Sequence, residues 1–245
     1  MLYDNPALYD ALLPVSEGHS RFYRSLARRY SGGLLELACG TGQLLVPLAH
    51  EHAATCGVDL SSEMLAVARA RAQAEGVSLG LVQADMRDFE LQRQFSLIFI
   101  ARNSLLHLST SEDFAALFAE VRRHLAPTGV LAFDIFMPDI RVLARPAGER
   151  YVQIRVASEA FGELTVETAN DYDAASQVNR ATWFVSAAAT QQEWVIPLHL
   201  RSIFPEELPL LLERNGFRLL HRDGDLTGGP FNSASDRQVC ICAPL

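Results

Sequence analysis

The sequence contains no lysine, so all 21 of its basic residues are arginine. Without a lysine amine, no Schiff base can form with pyridoxal phosphate or with an aldolase substrate. The lysine that contacts phosphates in P-loops and in protein kinases is missing as well. This single absence excludes pyridoxal-phosphate enzymes, lysine-dependent aldolases, P-loop nucleotidases and protein kinases.

Cysteine is scarce, and the four cysteines form no CxxC pair and no Cys/His spacing that suits zinc. We therefore expect no metal site, and so few cysteines predict a reducing cytosol. No apolar run reaches the roughly 18 residues of a membrane span, and the N-terminus lacks a signal-peptide pattern. These features predict a cytoplasmic protein without a membrane segment.

Positive charge is also in deficit, because the net charge is −8 and the pI is about 5.4. Such a chain repels a phosphate backbone unless its arginines cluster, so nucleic acid is an unlikely partner. Apolar residues make up 49% of the 245 residues, which is enough for a sizeable core. The length fits one large α/β domain with an insertion. The oligomeric state is left open, with a homodimer possible.

Short apolar runs alternate with helical periodicity along most of the chain. The expected strands lie at residues 34–38, 54–58, 79–83, 95–100 and 130–136, with two more at 217–221 and 238–242. This alternation predicts an α/β fold with a doubly wound, mostly parallel, seven-stranded sheet. A ligand is expected at the carboxyl ends of its strands.

The pattern changes between residues 150 and 201, where four strand-like runs are separated by turn residues. We expect a small antiparallel β insertion there. The predicted segments are therefore an N-terminal helical segment at 1–31, an α/β core at 32–149, the insertion at 150–201 and the end of the core at 202–245.

A glycine-rich turn after the first strand is the strongest local signal. Gly40 and Gly42 let a ligand approach the backbone, and the helix that follows offers free N–H groups. The dinucleotide fingerprint needs a third glycine where Leu45 stands, which disfavours a nicotinamide enzyme. Asp59, at the end of the second strand, can accept both hydroxyls of a ribose.

Polar residues also follow the third and fourth strands. After the third, the Asp85 carboxylate can accept an adenine amino group while Met86 packs against the ring. After the fourth, Asn103 either orients a substrate or makes an Asx-turn. His107 has an ordinary pKa of about 6.5, which suits a general base, although a structural histidine in a loop is the alternative.

These segments closely resemble the motifs of class I S-adenosylmethionine-dependent methyltransferases. Residues 36–42, 57–61, 83–89 and 95–100 resemble the first four motifs in order, and 125–134 resembles the segment leading into the fifth strand. The resemblance covers roughly residues 30–136 and resumes at 201–242. It implies a Rossmann-like methyltransferase fold and S-adenosylmethionine as the cofactor.

The resemblance assigns two groups of residues to this cofactor. Those around its methionine part are Glu36, Gly40, Gly42 and Ala101. Those around its ribose and adenine are Asp59, Leu60, Asp85 and Met86. Within the first group, Glu36 would order the glycine turn beside the cofactor's amino group. The carbonyl of Ala101 would face the same ammonium.

The N-terminal residues 3–10 resemble the tyrosine-bearing lid of small-molecule members such as aminosugar and glycine N-methyltransferases. By this resemblance Tyr9 closes over the cofactor, and the insertion forms part of the wall of the substrate pocket. We therefore expect methyl transfer to an amine or hydroxyl of a small molecule, with His107 as base and Asn103 as a substrate-binding residue. Two alternatives stay open: methylation of tRNA, rRNA or protein, and a non-catalytic S-adenosylmethionine-binding partner or sensor.

Overall fold

The computed structural model describes residues 2–245 and divides the chain into two compact units. The first unit contains the chain up to Pro14, Leu106–Ser109 and Pro138–Ile203. The second contains Val15–Leu105, Thr110–Met137 and Phe204–Leu245. The division into four segments stays a prediction from the sequence. The two compact units divide the chain at other residues.

The second unit is built on a seven-stranded sheet. Its strands, numbered along the chain, are β1 Leu34–Leu37, β2 Thr55–Asp59, β3 Gly80–Gln83, β4 Phe95–Ile100, β5 Leu125–Phe136, β11 Phe217–Asp223 and β12 Arg237–Pro244. Their order is β11-β12-β5-β4-β1-β2-β3. The pairs within β1–β5 are parallel, and β12 runs antiparallel to both its neighbours. The predicted doubly wound, mostly parallel sheet is confirmed.

Three of the five helices of this unit begin at a capping hydroxyl group, and all five bury apolar residues. They are α2 Glu17–Arg29, α3 Leu45–Ala49, α4 Ser62–Ala74, α5 Ser111–His124 and α7 Glu207–Arg214. The Ser61 hydroxyl caps α4 by accepting a hydrogen bond from the Met64 N–H at 3.1 Å. A capping box formed by Thr110 and Asp113 begins α5, whose residue Phe114 is buried.

The first unit holds the antiparallel sheet. Its elements are a 3-10 helix Leu2–Asp4, the helices α1 Pro6–Leu12 and α6 Ile140–Leu143, and the strands β6 Arg150–Ser158, β7 Gly162–Ala169, β8 Tyr172–Asp173, β9 Val178–Ala187 and β10 Glu193–Arg201. The strands pair in the order β10-β9-β7-β6, and β8 pairs with β9. Leu8 and Leu12 of α1 pack in one buried cluster with Leu164 and Val166 of β7. The predicted antiparallel insertion is confirmed.

Three local details differ from the sequence expectation. β5 begins at Leu125 rather than at residue 130, and its register is irregular beside Phe95 and Leu97. The short strand β8 is a fifth strand in the region where four strand-like runs were expected. The N-terminal helical segment is divided after Pro14, so that α2 belongs to the second unit. Within residues 2–245, none of the helices combines the length and apolar character of a membrane span.

Phe99 on β4 is a suitable position to measure how much core packing stabilises the fold. It is 0% exposed, and its ring centroid lies 4.8 Å from that of Tyr23. We expect Phe99→Ala to lower the free energy of unfolding by about 3–5 kcal/mol, since it leaves a cavity. Leu220→Ala, at a side chain 47% exposed on β11, is the control and should cost about 0.5 kcal/mol or less. Urea unfolding measures both, and equal losses would refute this account of the core.

Candidate functional site

The exits of four neighbouring strands, in the order β4-β1-β2-β3, form one edge of the parallel sheet. Eight of the residues implied for the cofactor and one for the substrate lie at these exits or close to them: Glu36, Gly40, Gly42, Asp59, Leu60, Asp85, Met86, Ala101 and Asn103. The sheet topology therefore gathers these predicted residues in one compact unit. The other two predicted residues, Tyr9 and His107, belong to the other unit.

The turn after β1 has a left-handed backbone at several positions. The φ angles are 56° at Ala38, 54° at Gly40 and 72° at Gly42. A Cβ atom at Gly42 would lie 3.0 Å from Cγ2 of Val46 and 3.2 Å from the Cβ of Ala68. The conformation and the close packing both require glycine there. Gly40 and Gly42 are both buried in this turn, at the edge of the sheet.

Asp59, the last residue of β2, is hydrogen-bonded to this turn. Its carboxylate accepts hydrogen bonds from the Gly40 N–H at 2.7 Å and from the Ser61 N–H at 2.9 Å. Burial raises the pKa of Asp59, and the bonds from these two N–H groups oppose the rise. A carboxylate has about four acceptor positions, so it can also accept ribose hydroxyls. Leu60 beside it is 68% exposed and offers an apolar surface next to the carboxylate.

Glu36 on β1 carries a buried polar atom that the fold leaves unpaired. The residue is 4% exposed, and its Oε2 has no hydrogen-bond partner among the described residues. Burial raises the pKa of Glu36 well above its usual range, while the charge of Arg102 opposes the rise. A buried acceptor without a donor costs free energy, and a cationic amino group would satisfy it. The site therefore fits the amino group of the implied cofactor.

Asp85, implied to accept the adenine amino group, is held by an arginine. The Arg87 backbone N–H and its Nε donate to Oδ1 of Asp85 at 2.9 and 3.0 Å, and its Nη2 donates to Oδ2 at 2.7 Å. These bonds, the side-chain ones above all, lower the pKa of Asp85. Arg87 also pairs with Asp113. The Asp-x-Arg spacing could have indicated this contact, which the sequence analysis missed.

The exit of β4 is tied to β5 through Asn103. Its Oδ1 accepts a hydrogen bond from the Phe136 N–H at 2.7 Å, and its own N–H donates to the Asp134 carbonyl at 3.0 Å. The φ angles of Arg102 and Asn103 are 57° and 67°, and Ala101 before them is buried. Its Oδ1 therefore serves the fold, and the substrate role of Asn103 stays a prediction.

Asp134 on β5 is a buried charged residue that the sequence analysis missed. It is 0% exposed, and its Oδ1 accepts hydrogen bonds from the Tyr23 hydroxyl at 2.7 Å and from the Arg102 N–H at 2.9 Å. Its Oδ2 lies 2.5 Å from Nη1 of Arg237 and 3.2 Å from Nε2 of His19. Burial acts to raise the pKa of Asp134, but these bonds hold it below its ordinary value. A single aspartate inside an apolar strand was the available signal.

His107, the predicted base, contacts a tyrosine within its own unit. The Tyr3 hydroxyl oxygen lies 2.8 Å from Nε2 of His107, and the ring centroids of Tyr3 and Tyr9 are 6.0 Å apart. His107 reaches the surface, yet the protein atoms around its ring lower its pKa. The imidazole is therefore neutral at pH 7, as a general base must be.

Metal ligands are not grouped at any of these positions. Across residues 2–245, no three or more His, Cys, Asp or Glu side chains are placed to hold a metal ion together. The four cysteines are free and buried.

Asp134 should make the free energy of unfolding depend on pH in the acid range. Because its folded pKa is depressed, it contributes stability above its unfolded pKa of about 3.9 and loses that contribution as pH falls through the folded value. We expect Asp134→Asn to cost about 3 kcal/mol at pH 7. This cost should shrink below about pH 4 in urea titrations. A cost that stays constant from neutral to acid pH would contradict the assignment.

Comparisons with known proteins show which proteins the chain is similar to. Residues 34–129 match the family model described as a methyltransferase domain. The chain is 38% identical over 104 residues to a dTDP-3-amino-3,4,6-trideoxy-alpha-D-glucopyranose N,N-dimethyltransferase of Streptomyces venezuelae, covering 42% of each chain. It spans about half the length of the curated relatives it matches.

Solved structures extend the similarity over nearly the whole chain. The amino pentose methyltransferase CalS10 of Micromonospora echinaspora, solved with S-adenosylmethionine bound, is 26% identical with a TM-score of 0.68, covering 94% of this chain and 90% of that one. The methyltransferase CcbJ of Streptomyces caelestis shares the fold, with a TM-score of 0.82 at 22% identity over 99% and 98% of the two chains. The chain thus carries a methyltransferase domain at residues 34–129, and it is similar to S-adenosylmethionine-dependent methyltransferases.

Proposed function

We propose that this protein transfers a methyl group from S-adenosylmethionine to an amine of a small molecule. The observation that carries the proposal is the buried Oε2 of Glu36, which lacks a hydrogen-bond donor beneath the glycine turn. A cationic amino group supplies that donor, and the Asp59 carboxylate at the next strand exit suits ribose hydroxyls. A nucleoside that carries an amino acid presents both of these groups.

The residues of the sheet edge bind and orient the cofactor in this proposal. Glu36 and the carbonyl of Ala101 hold its amino group, while Asp59 holds its ribose. Leu60 and Met86 pack against its adenine. The amino group of that ring donates a hydrogen bond to the Asp85 carboxylate, which also accepts from Arg87. When bound, S-adenosylmethionine supplies a methyl group on a positively charged sulfur, which is a good leaving group. Tyr9 of the N-terminal segment closes over it.

In this proposal His107 accepts the proton that the substrate amine loses. An amine attacks a methyl group only through a free lone pair, so its proton must be removed. If Nε2–H of His107 donates to the Tyr3 oxygen, Nδ1 keeps the lone pair that accepts this proton. The lowered pKa of His107 keeps it ready for this step at neutral pH. Alignment of the reacting groups supplies most of the remaining acceleration.

A small-molecule amine is the acceptor that the observations favour over RNA, protein or a hydroxyl. Two of the related proteins are named as N,N-dimethyltransferases of dTDP-linked amino sugars, and CalS10 is described as an amino pentose methyltransferase. The net charge of −8 opposes a phosphate backbone. A sugar-linked amine is therefore the acceptor class to test first. A cytoplasmic location and a homodimer stay predictions from the sequence.

The activity is tested by incubating the purified chain with S-adenosylmethionine and a panel of acceptors. The panel contains nucleotide-linked amino sugars, the same sugars with a hydroxyl in place of the amine, and bulk tRNA. We expect S-adenosylhomocysteine to form only with amine-bearing sugars, as detected by mass spectrometry. Turnover that requires tRNA would overturn the small-molecule assignment. Cofactor binding without turnover on any acceptor would favour the non-catalytic alternative.

Glu36→Gln tests the cofactor site, because it keeps the shape of the side chain and removes its charge. We expect the dissociation constant for S-adenosylmethionine to rise about tenfold or more in calorimetry at pH 7. Binding to the wild type should also weaken as pH falls below the raised pKa of Glu36, since the protonated carboxyl must lose its proton to pair with the amino group. The variant should lack this dependence. Equal affinity of both proteins would remove Glu36 from the site.

His107→Ala tests the base. We expect kcat to fall about 100-fold or more, with the affinity for the cofactor unchanged. Because the pKa of His107 is lowered, the acid limb of the wild-type kcat profile should lie below about pH 6.5. Tyr3→Phe, which removes the hydroxyl beside Nε2, is the matched control and should shift this limb with a smaller loss of kcat. Unchanged turnover in His107→Ala would exclude it as the base.

A further inference from the structure

We propose that Asp134 is a positioning residue for the cofactor, because its carboxylate fixes the turn that follows β4. This inference rests on the proposed function, which places the carbonyl of Ala101 against the cofactor's amino group. Asp134 itself has no contact with solvent, since it is 0% exposed. It therefore acts through the backbone that it holds rather than through the ligand.

The turn needs an outside anchor because its backbone is unfavourable. Arg102 and Asn103 both lie in the left-handed region, with φ angles of 57° and 67°, which residues other than glycine rarely adopt. The Oδ1 of Asp134 accepts the Arg102 N–H at 2.9 Å, and its carbonyl accepts the Asn103 N–H at 3.0 Å. One residue of β5 thus satisfies two consecutive N–H groups. The Ala101 carbonyl begins this turn and accepts a hydrogen bond from the Ser104 N–H at 3.2 Å, so it belongs to the backbone that Asp134 holds.

The same anchor holds the backbone of a residue whose charge acts on Glu36. The positive charge of Arg102 opposes the rise of the Glu36 pKa. Fixing the backbone of Arg102 therefore also limits where this charge can move. Asp134 thereby influences both groups that the proposal assigns to the cofactor's amino group.

The two carboxylate oxygens of Asp134 have different partners. Variants can therefore remove the partners of one oxygen and keep those of the other. Oδ1 faces the turn and the Tyr23 hydroxyl, while Oδ2 faces the side chains of Arg237 and His19. A substitution at Arg237 removes an ion pair without touching the N–H of the turn. A substitution at Tyr23 removes the second donor on the oxygen that holds the turn. The positioning role and a purely stabilising role therefore predict different sets of affected variants.

The experiment compares Asp134→Asn, Tyr23→Phe and Arg237→Met with the wild type. We measure the dissociation constant for S-adenosylmethionine by calorimetry, the Tm, and the hydrogen exchange of the Arg102 amide without ligand. We expect Asp134→Asn to weaken binding at least about tenfold and Tyr23→Phe about threefold. Both should accelerate exchange at Arg102. Arg237→Met should lower the Tm and leave the dissociation constant within about twofold, with slow exchange at Arg102.

The outcomes separate the inference from the proposed function. If the wild type does not bind S-adenosylmethionine, the proposed function fails and this inference with it. If the wild type binds and Asp134→Asn binds equally well, the inference alone is overturned. Binding losses that follow the Tm across all three variants also overturn it, since they report only stability. Should Asp134→Asn not fold, Tyr23→Phe decides between these results.

Discussion

The site depends on one constraint: a carboxyl group has been buried without a donor for one of its oxygens. Glu36 lies on a central strand of the parallel sheet, and its Oε2 has no partner among the described residues. Such a group costs folding free energy that a cationic ligand can offset. The fold thus carries a local destabilisation at the position where the proposed cofactor binds. In the proposed function, part of the binding free energy comes from pairing this unsatisfied oxygen with the ligand.

The surrounding carboxylates serve a different purpose, because the fold has already paired them. Asp59 is held by two backbone N–H groups, Asp85 by Arg87, and Asp134 by donors from three parts of the chain. These pairings fix the strand exits and the turns between them. A parallel sheet makes this arrangement possible, since its strands all end at one edge. Rigid surroundings keep the unpaired Glu36 oxygen in place for the ligand.

Much of the sheet edge could be predicted from the sequence, because its signals are local. Each strand is a short apolar run, and Gly40, Asp59 and Asp85 follow their strands directly. The contacts of Asp134 could not be predicted, because its partners Tyr23 and Arg237 lie 111 and 103 residues away in the sequence. The local sequence pattern indicates which residues belong to one strand. It does not indicate which distant helices and strands contact one buried carboxylate in the folded chain.

The most direct test of the central claim is a crystal structure of the protein with S-adenosylhomocysteine. The account predicts that the amino group of this ligand donates to Oε2 of Glu36 and to the carbonyl of Ala101, and that its ribose hydroxyls bond Asp59. A ligand bound elsewhere, with Oε2 of Glu36 still without a donor, would contradict it.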